Sequence, residues 1–227
     1  MRKAFESFLV LGFAFGGPAY ADTRPTANSP GDPGLTVAVR VYDYARVPRG
    51  TLVRAGKETS NIFREVGIEA RWLVCSRAED EFQSNRGCEE PVGAADLHLI
   101  ILARAGAESL AFRESELGRA SVATEADKGA YARVFYIYYD RVRNLAEYGY
   151  ATEANILALG IAHEIGHLLL SELGHSGTGI MSARLGPNDL RRLAKGDLLF
   201  SPDQAKKMRE NVRFRMRTML TKSGFPD

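Results

Sequence analysis

The sequence predicts an α+β protein built on a sheet of about five strands. Five segments show the period-two alternation or the short apolar run typical of strands: 35–44, 68–75, 96–102, 118–124 and 132–139. Three others, near 50–66, 153–170 and from 201 onward, have the apolar periodicity or the capping residues of helices. The length of 227 residues suits one domain or one domain with a small appendage.

The first strand and first helix are predicted by two different periods. The segment "LTVAVRVYDY" from residue 35 alternates apolar and polar residues and is rich in β-branched side chains, which predicts a strand. The following segment, 50–66, repeats apolar residues on one helical face, at Leu52, Ala55, Thr59, Ile62, Phe63 and Val66. Gly67 ends that helix, and "IEARWLVC" at 68–75 predicts the second strand.

The central strands differ in polarity. The segment "DLHLIIL" at 96–102 is nearly all apolar, which predicts a strand buried on both faces. Segment 118–124, "GRASVAT", predicts a short strand at the sheet edge, and "ARVFYIYY" at 132–139 predicts another strand. His98 lies within the apolar segment, and we expect a hydrogen-bonded core residue there rather than a metal ligand.

A long buried helix and a terminal helix follow. Thr152 is a plausible N-cap, and "ANILALGIAHEIGHLLL" after it is apolar on nearly all sides, which predicts burial. The motif "SPDQ" at 201–204 predicts the start of the last helix, with inner residues Met208, Val212, Met216 and Met219. The excess of Lys and Arg between 191 and 222 favours a solvated helix face.

The N-terminal residues predict an exported protein. A basic start, the apolar run "FLVLGFAFGG" and the small-residue site "AYA" indicate a signal peptide at 1–21, cleaved after Ala21. The run is too short to span a bilayer, so no stable membrane anchor is expected. Residues 22–34 predict a disordered leader, and 35–227 a single domain. The expected location is secreted or periplasmic.

Composition indicates a globular protein, and the two cysteines indicate a disulfide. The chain is 45% hydrophobic and 26% charged, ordinary values for a globular protein, and its net charge of +2 does not indicate a nucleic-acid partner. Cys75 and Cys88 are the two cysteines. In an exported chain they predict a disulfide, which stabilises the fold by roughly 3 kcal/mol in the chain-entropy model.

The motif "HEIGH" predicts a zinc site. His163 and His167 are four apart, so on a helix their imidazole rings point to one spot and can bind one ion. Glu164 lies beside the first ligand, where its carboxylate reaches a water molecule near the metal and can take its proton. The motif lies on the helix predicted to be buried, and three of the four histidines of the chain lie between 163 and 175.

A catalytic zinc ion usually has three protein ligands and one open position, and His175 is the natural third ligand. Gly174 precedes it and is expected to take the left-handed conformation that turns the chain back toward the metal. One alternative is an acidic third ligand from a later helix, such as Asp189 or Glu210. Another is an exported zinc-binding module without turnover, although Glu164 argues against a purely structural site.

These residues resemble the metzincin metallopeptidases, whose motif is H-E-x-x-H-x-x-G-x-x-H followed by a turn with a methionine. "HEIGH" matches its first five positions, "HS" at 175–176 is similar to the third ligand and its follower in the matrixin branch, and "GIM" with Met181 resembles the methionine turn. The sequence differs where Leu170 replaces the glycine and Leu173 the third histidine, so His175 comes two residues later.

The resemblance implies a twisted mixed sheet and a cleft between an upper part, 35–175, and a small lower part, 176–227. It implies a secreted endopeptidase with one catalytic zinc ion, Met181 under the ligands, and Glu164 as general base. An extended protein or peptide substrate would pair with the edge strand within 118–124. We expect a monomer without a nucleic-acid partner.

Overall fold

The protein is described by a computed structural model over residues 34–75, 86–104, 106, 116–121, 133–172 and 174–222. The predicted signal peptide and most of the predicted leader lie outside these residues and stay predictions. Among the described helices, none combines the length and the apolar character needed to cross a membrane.

A five-stranded mixed sheet forms the centre, as the sequence predicts. Its strands are β1 (Thr36–Asp43), β2 (Glu69–Val74), β3 (Leu97–Leu102), β4 (Gly118–Ala120) and β5 (Val134–Tyr138). Their order across the sheet is β2-β1-β3-β5-β4. All neighbours are parallel except β4, which pairs antiparallel with β5 at the edge. The predicted edge strand is therefore confirmed at 118–120, while residues 122–124 lie outside the described part.

Five α-helices occur in the described residues: α1 (Arg49–Val66), α2 (Tyr139–Ala146), α3 (Glu153–Leu170), α4 (Pro187–Lys195) and α5 (Pro202–Lys222). The sequence predicts α1, α3 and α5. Helix α2 was missed because it continues directly from β5 without a break. Helix α4 was missed because it is a short, mostly polar segment, and its start is stabilised when the Gly186 N–H donates to the Asp189 carboxylate at 3.0 Å.

The ends of the predicted helices form as their capping residues indicate. In α3, the Asn155 N–H donates to the Thr152 hydroxyl at 3.2 Å, which makes Thr152 the N-cap. The Gln204 N–H donates to the Ser201 hydroxyl at 3.2 Å at the start of α5. Helix α1 ends at Gly67, whose φ of 79° is the left-handed conformation that favours glycine. Local sequence alone therefore determines where these helices begin or end.

Helix α3 forms the centre of the core beneath the sheet. It packs against α1, α2, β4, β5, α4 and α5, and most of its side chains are buried. The predicted apolar face of α1 is also buried, including Phe63 and Ala55 with no exposed surface. Burial on several sides explains why α3 is apolar around its circumference. This packing places the "HEIGH" motif among six neighbouring helices and strands.

One expectation about the central strand was wrong. The apolar sequence of β3 predicts burial on both faces, but only the alternate residues Leu97, Leu99 and Ile101 are fully buried. The side chains of His98, Ile100 and Leu102 are partly exposed because helix α3 covers one face of the sheet. The apolar sequence of β3 therefore predicts more burial than the structure shows on the face that carries His98, Ile100 and Leu102.

The predicted disulfide between Cys75 and Cys88 is present, with Cα atoms 5.7 Å apart. A buried guanidinium holds the chain that follows it. Arg40 donates to the Asp96 carboxylate at 3.0 and 3.1 Å and to the carbonyl oxygens of Cys88 and Glu90 at 3.0 Å. The disulfide and Arg40 together attach this polar segment to the sheet, away from the histidine motif.

Candidate metal centre

Three imidazole rings meet at one point, as predicted. His163 and His167 lie one turn apart on α3, and His175 lies in the loop after the helix. Ring centroids are 4.7 Å apart for His163 and His167, 5.2 Å for His163 and His175, and 4.9 Å for His167 and His175. One ligand nitrogen from each ring lies within 4.8 Å of the others, so this group fits a zinc site.

Backbone carbonyl groups orient two of the rings. The Nδ1 atom of His163 lies 2.8 Å from the Ile180 carbonyl oxygen, and the Nδ1 atom of His167 lies 2.7 Å from the Glu172 carbonyl oxygen. A carbonyl oxygen only accepts hydrogen bonds, so each Nδ1 carries the proton. In the neutral rings each Nε2 atom then presents a lone pair, which is the arrangement found in metal-binding histidines.

The spacing of the Nε2 atoms of His163 and His167 suits two ligands of a tetrahedral ion. The Nε2 atoms of His163 and His167 lie 3.1 Å apart. Two lone pairs that face each other at this distance repel unless a cation lies between them. With metal–nitrogen bonds of about 2.0 to 2.1 Å, tetrahedral geometry requires nitrogens about 3.3 Å apart, which is close to the observed spacing.

Burial also keeps these rings neutral. Desolvation lowers the pKa of His163 to about 4, against the hydrogen bond to the Ile180 carbonyl group, which raises it. Desolvation likewise lowers the pKa of His167. Neutral imidazole is the form that binds a metal ion, so the environment prepares both rings for that role.

The turn after α3 differs from the predicted one. Helix α3 ends at Leu170, and Ser171 takes the left-handed conformation with φ of 54°. Gly174, which was expected to provide this conformation, does not have positive φ. Residues of α5 contact the end of α3 at this turn, with Asn211 at the Ser171 hydroxyl and Arg215 at the Leu168 carbonyl oxygen, and a local sequence pattern cannot reveal such contacts. His175 nevertheless reaches the other two rings.

A tight turn lies beneath the cluster at 179–182. The Ser182 N–H donates to the Gly179 carbonyl oxygen at 3.1 Å, and Gly179 has φ of 77°. A side chain at Gly179 would also lie 2.6 Å from the Leu199 carbonyl oxygen, so only glycine fits. Met181 is 1% exposed, and its sulfur packs against α3 at Gly166, where a Cβ atom would overlap it.

Glu164 lies on the adjacent face of α3, against the edge strand. Its side chain is 5% exposed, and the Ala120 N–H donates to its carboxylate. A Cβ atom at Gly118 would lie 2.9 Å from Glu164 Cγ, so glycine at this position allows β4 to approach the carboxylate closely. Desolvation raises the pKa of Glu164 to about 8, and a cation held by the histidines would lower it again, so that the carboxylate form needed for a base is available.

A cleft of about 1300 Å³ contains the three histidines and Glu164. One wall is formed by residues 116–120 of the edge strand and the residues before it, and another by α2. Ser182, Ala183 and Leu185, which follow the 179–182 turn, form part of its lower side. The cleft therefore exposes an extended strand edge beside the histidine cluster.

His98, which was not expected to be a ligand, and the alternative acidic ligands Asp189 and Glu210 lie elsewhere. His98 stacks on Tyr42 at the sheet, with ring centroids 5.9 Å apart, and does not belong to the cluster. The Asp189 carboxylate accepts the hydrogen bond that caps α4. Glu210 is exposed on α5. Within the residues that the structure describes, the three histidines are the group whose geometry suits an ion.

Sequence reasoning missed the groups that orient the rings. The Ile180 and Glu172 carbonyl groups belong to the backbone, so their side chains give no signal for this role. The glycine at 118 was visible in the sequence, but its contact with Glu164 depends on how β4 packs against α3. In the sequence, the glycine at the start of the predicted edge strand is the one sign that this strand could approach another element closely.

Comparison with solved structures finds similarity to the archaemetzincin of Methanopyrus kandleri. The similarity covers 78% of this chain and 95% of that chain, with 16% sequence identity and a TM-score of 0.43. No protein-family model matches the chain, and comparison with curated proteins finds no match.

Proposed function

We propose that the protein is a zinc-dependent endopeptidase. His163, His167 and His175 would hold the ion, and Glu164 would act as general base and then as proton donor. The observation that carries this proposal is the convergence of three imidazole nitrogens within 4.8 Å, with Glu164 in the same cleft. The similarity of the "HEIGH" motif to that of the metzincins agrees with it.

The donor set favours a catalytic site over a structural one. Structural zinc sites usually have four protein ligands, whereas catalytic sites keep one position open. Among the described residues, the group that could bind an ion consists of three histidines. Burying the Glu164 side chain costs free energy. A zinc-binding module without turnover would gain nothing in return, whereas a catalytic site would gain a base beside the ion.

The chemistry divides between the ion and Glu164. A zinc ion at this site would supply Lewis-acid activation of water and of a substrate carbonyl group. The Glu164 carboxylate would accept the proton of the attacking water as the new carbon–oxygen bond forms. It would then deliver that proton to the amide nitrogen as the carbon–nitrogen bond breaks. Met181 would form the floor beneath the ligands.

The substrate we propose is a protein or peptide in extended conformation. Strand β4 is at the edge of the sheet and runs along the cleft, so a peptide could add to it by backbone hydrogen bonds. The cleft volume of about 1300 Å³ exceeds the range of about 300 to 1,000 Å³ typical of small-molecule sites. We further propose that the protein binds a single zinc ion, is secreted and is a monomer. Its domain would divide into an upper part, 35–175, and a lower part, 176–227.

The decisive experiment is the substitution Glu164→Gln. The amide keeps the shape of the side chain but cannot take a proton, so we expect zinc binding to remain and peptidase activity to fall. Loss of an acid–base group costs about 10² to 10⁴ in rate. Digestion of an unfolded protein substrate, followed by mass spectrometry of the fragments, measures activity, and zinc content is measured on the same samples.

Glu65→Gln is the matched control, because Glu65 is an exposed acid on α1, remote from the cleft. It should leave both zinc content and digestion unchanged. Digestion by Glu164→Gln at the wild-type rate would exclude Glu164 as the base. Zinc binding by the wild-type protein without cleavage of any member of a broad peptide library would favour the zinc-binding module instead.

A further inference from the structure

The end of the motif helix rests on α5 through a buried arginine. Arg215 is 1% exposed, and its Nη2 atom donates to the Leu168 carbonyl oxygen at 2.6 Å. Its Nε atom donates to the Asn211 side-chain oxygen, also at 2.6 Å. Leu168 directly follows the ligand His167 in the sequence, so this arginine binds the backbone beside the metal centre.

This position matters because the last four carbonyl groups of a helix lack partners within the helix. The Leu168 carbonyl group is one of them, since α3 ends at Leu170. A cation near a helix C-terminus is favoured by the helix dipole. A buried guanidinium is costly unless it is paired, so the hydrogen bonds of Arg215 fix it in one place.

Two further residues of α5 contact the turn that follows. The Asn211 Nδ2 atom donates to the Ser171 hydroxyl at 3.3 Å, and Ser171 is the residue with left-handed conformation. The Lys207 ammonium group lies 3.1 Å from the Glu172 carboxylate. Lys207, Asn211 and Arg215 are spaced four apart and so share one face of α5.

The turn held in this way orients a ligand. The Glu172 carbonyl oxygen lies 2.7 Å from His167 Nδ1 and so fixes the direction of its Nε2 lone pair. The same turn starts the loop that carries His175 to the cluster. Ser171 is not glycine, so its left-handed conformation costs free energy and needs support from its surroundings. The contacts from α5 provide that support.

We propose that this face of α5 positions the metal ligands and that Arg215 is its main positioning residue. The inference rests on the proposed zinc site. Arg215 touches neither the ligand nitrogens nor the substrate cleft. It acts through the Leu168 carbonyl group, the Ser171 turn and the Glu172 carbonyl group, which together determine how His167 and His175 face the ion.

Arg209 offers a matched control on the same helix. Its Nη1 atom donates to the Val66 carbonyl oxygen at 2.8 Å, at the C-terminal end of α1. Both arginines thus bind a carbonyl group at the end of another helix, but only Arg215 does so beside the histidines. Removing Arg209 tests the general effect of losing such a bond on stability.

The test measures the affinity of the full-length protein for Zn²⁺ by competition with a coloured chelator. Arg215→Ala and Asn211→Ala should each lower the affinity by about 10- to 100-fold, the usual cost of losing groups that orient metal ligands. Arg209→Ala should leave the affinity unchanged. Arg215→Lys should recover part of the loss, because an ammonium group can still donate to the Leu168 carbonyl oxygen. The visible absorption of the Co²⁺-loaded variants reports the change in ligand geometry.

Unchanged affinity in folded Arg215→Ala, or in Asn211→Ala if the arginine variant fails to fold, would overturn the inference. An equal loss of affinity in Arg209→Ala would also overturn it, since the effect would then be general destabilisation. The failure of the proposed catalysis has a different signature. Wild-type zinc binding with full activity in Glu164→Gln would reject the general base and leave the role of Arg215 intact.

Discussion

Backbone carbonyl groups orient the rings of His163 and His167. The Ile180 and Glu172 carbonyl oxygens accept hydrogen bonds from the Nδ1–H groups of His163 and His167, and the two Nε2 atoms that carry the lone pairs lie 3.1 Å apart. His175 completes the group although it is exposed and lies in a loop. The sequence motif therefore provides the residue types, and hydrogen bonds from the loop provide their orientation.

His175→Ala should reduce zinc affinity by more than the ~10- to 100-fold that follows loss of an orienting group, because it removes a ligand itself. Asp189→Ala and Glu210→Ala should leave the affinity unchanged. Asp189→Ala should lower the free energy of unfolding by roughly 1 kcal/mol, because it removes the hydrogen bond that caps α4. Isothermal titration with Zn²⁺ and urea unfolding measure the two effects. Normal zinc affinity in His175→Ala, with a loss in either acidic variant, would favour an acidic third ligand.

Helix α3 and the 179–182 turn pack against each other beside the histidine cluster. Met181 packs against α3 at Gly166, one position before His167, and Phe200 also lies there, 3.0 Å from where a Cβ atom would be. The turn also supplies the Ile180 carbonyl group to His163. Helix and turn therefore have to be close for the rings to be oriented, and a glycine in the helix allows that distance.

Gly166→Ala should lower the free energy of unfolding by about 1 to 3 kcal/mol, the usual cost of overpacking. The added methyl group would overlap the Met181 sulfur and push the turn away from α3. Gly174→Ala is the control, because no atom lies within 4 Å of the position of its Cβ atom and its φ is not positive. Urea unfolding compares the two variants with the wild type. Equal stability of all three would show that the helix and turn do not constrain each other as described.

At the scale of the whole molecule, the cluster joins segments that are distant in sequence. Helix α3 carries two of the proposed ligands and the loop carries the third, while Asn211 of α5 contacts Ser171 and the Ser176 N–H donates to the Met181 carbonyl oxygen at 2.8 Å. The disulfide between Cys75 and Cys88 stabilises a different region, next to β2. Metal binding and the disulfide should therefore contribute to stability separately.

Removal of zinc should lower the stability of the folded protein, since the proposed site exists only where the fold brings the three rings together. At a free zinc concentration 100 times the dissociation constant, the ion adds about 2.7 kcal/mol to the free energy of unfolding. Thermal unfolding with and without a chelator measures the shift in Tm. A variant with both His163→Ala and His167→Ala should show no shift, and an equal shift in that variant would mean that the ion binds elsewhere.

The exported chain should begin at Asp22 and contain no free thiol. The first prediction rests on the "AYA" site before a polar leader. The second rests on the disulfide between Cys75 and Cys88. Intact mass spectrometry after alkylation, with and without reductant, measures both properties. Retention of Met1 would contradict the predicted cleavage. Two alkylated cysteines without reductant would contradict the disulfide in the exported protein.

The sequence by itself determined the features that depend on local period and local capping. The spacing of His163 and His167 brings them to one helix face, Thr152 and Ser201 begin two helices, and alternating residues predict the strands. These features need only neighbours a few residues away. That is why the five strands, three of the five helices in the described residues and the histidine cluster could be predicted.

Only the tertiary structure decided how the loop to His175 is formed. The sequence favoured Gly174 as the turning residue, yet Ser171 takes the left-handed conformation at a point where Asn211 contacts Ser171 and Arg215 contacts the Leu168 carbonyl group. The basic run on α5 predicted a solvated face, yet Arg215 is buried against a carbonyl group 47 residues earlier. Such contacts join residues far apart in the chain, so no local sequence pattern contains them. The conformation of the loop to His175 therefore depends on how α5 packs against α3.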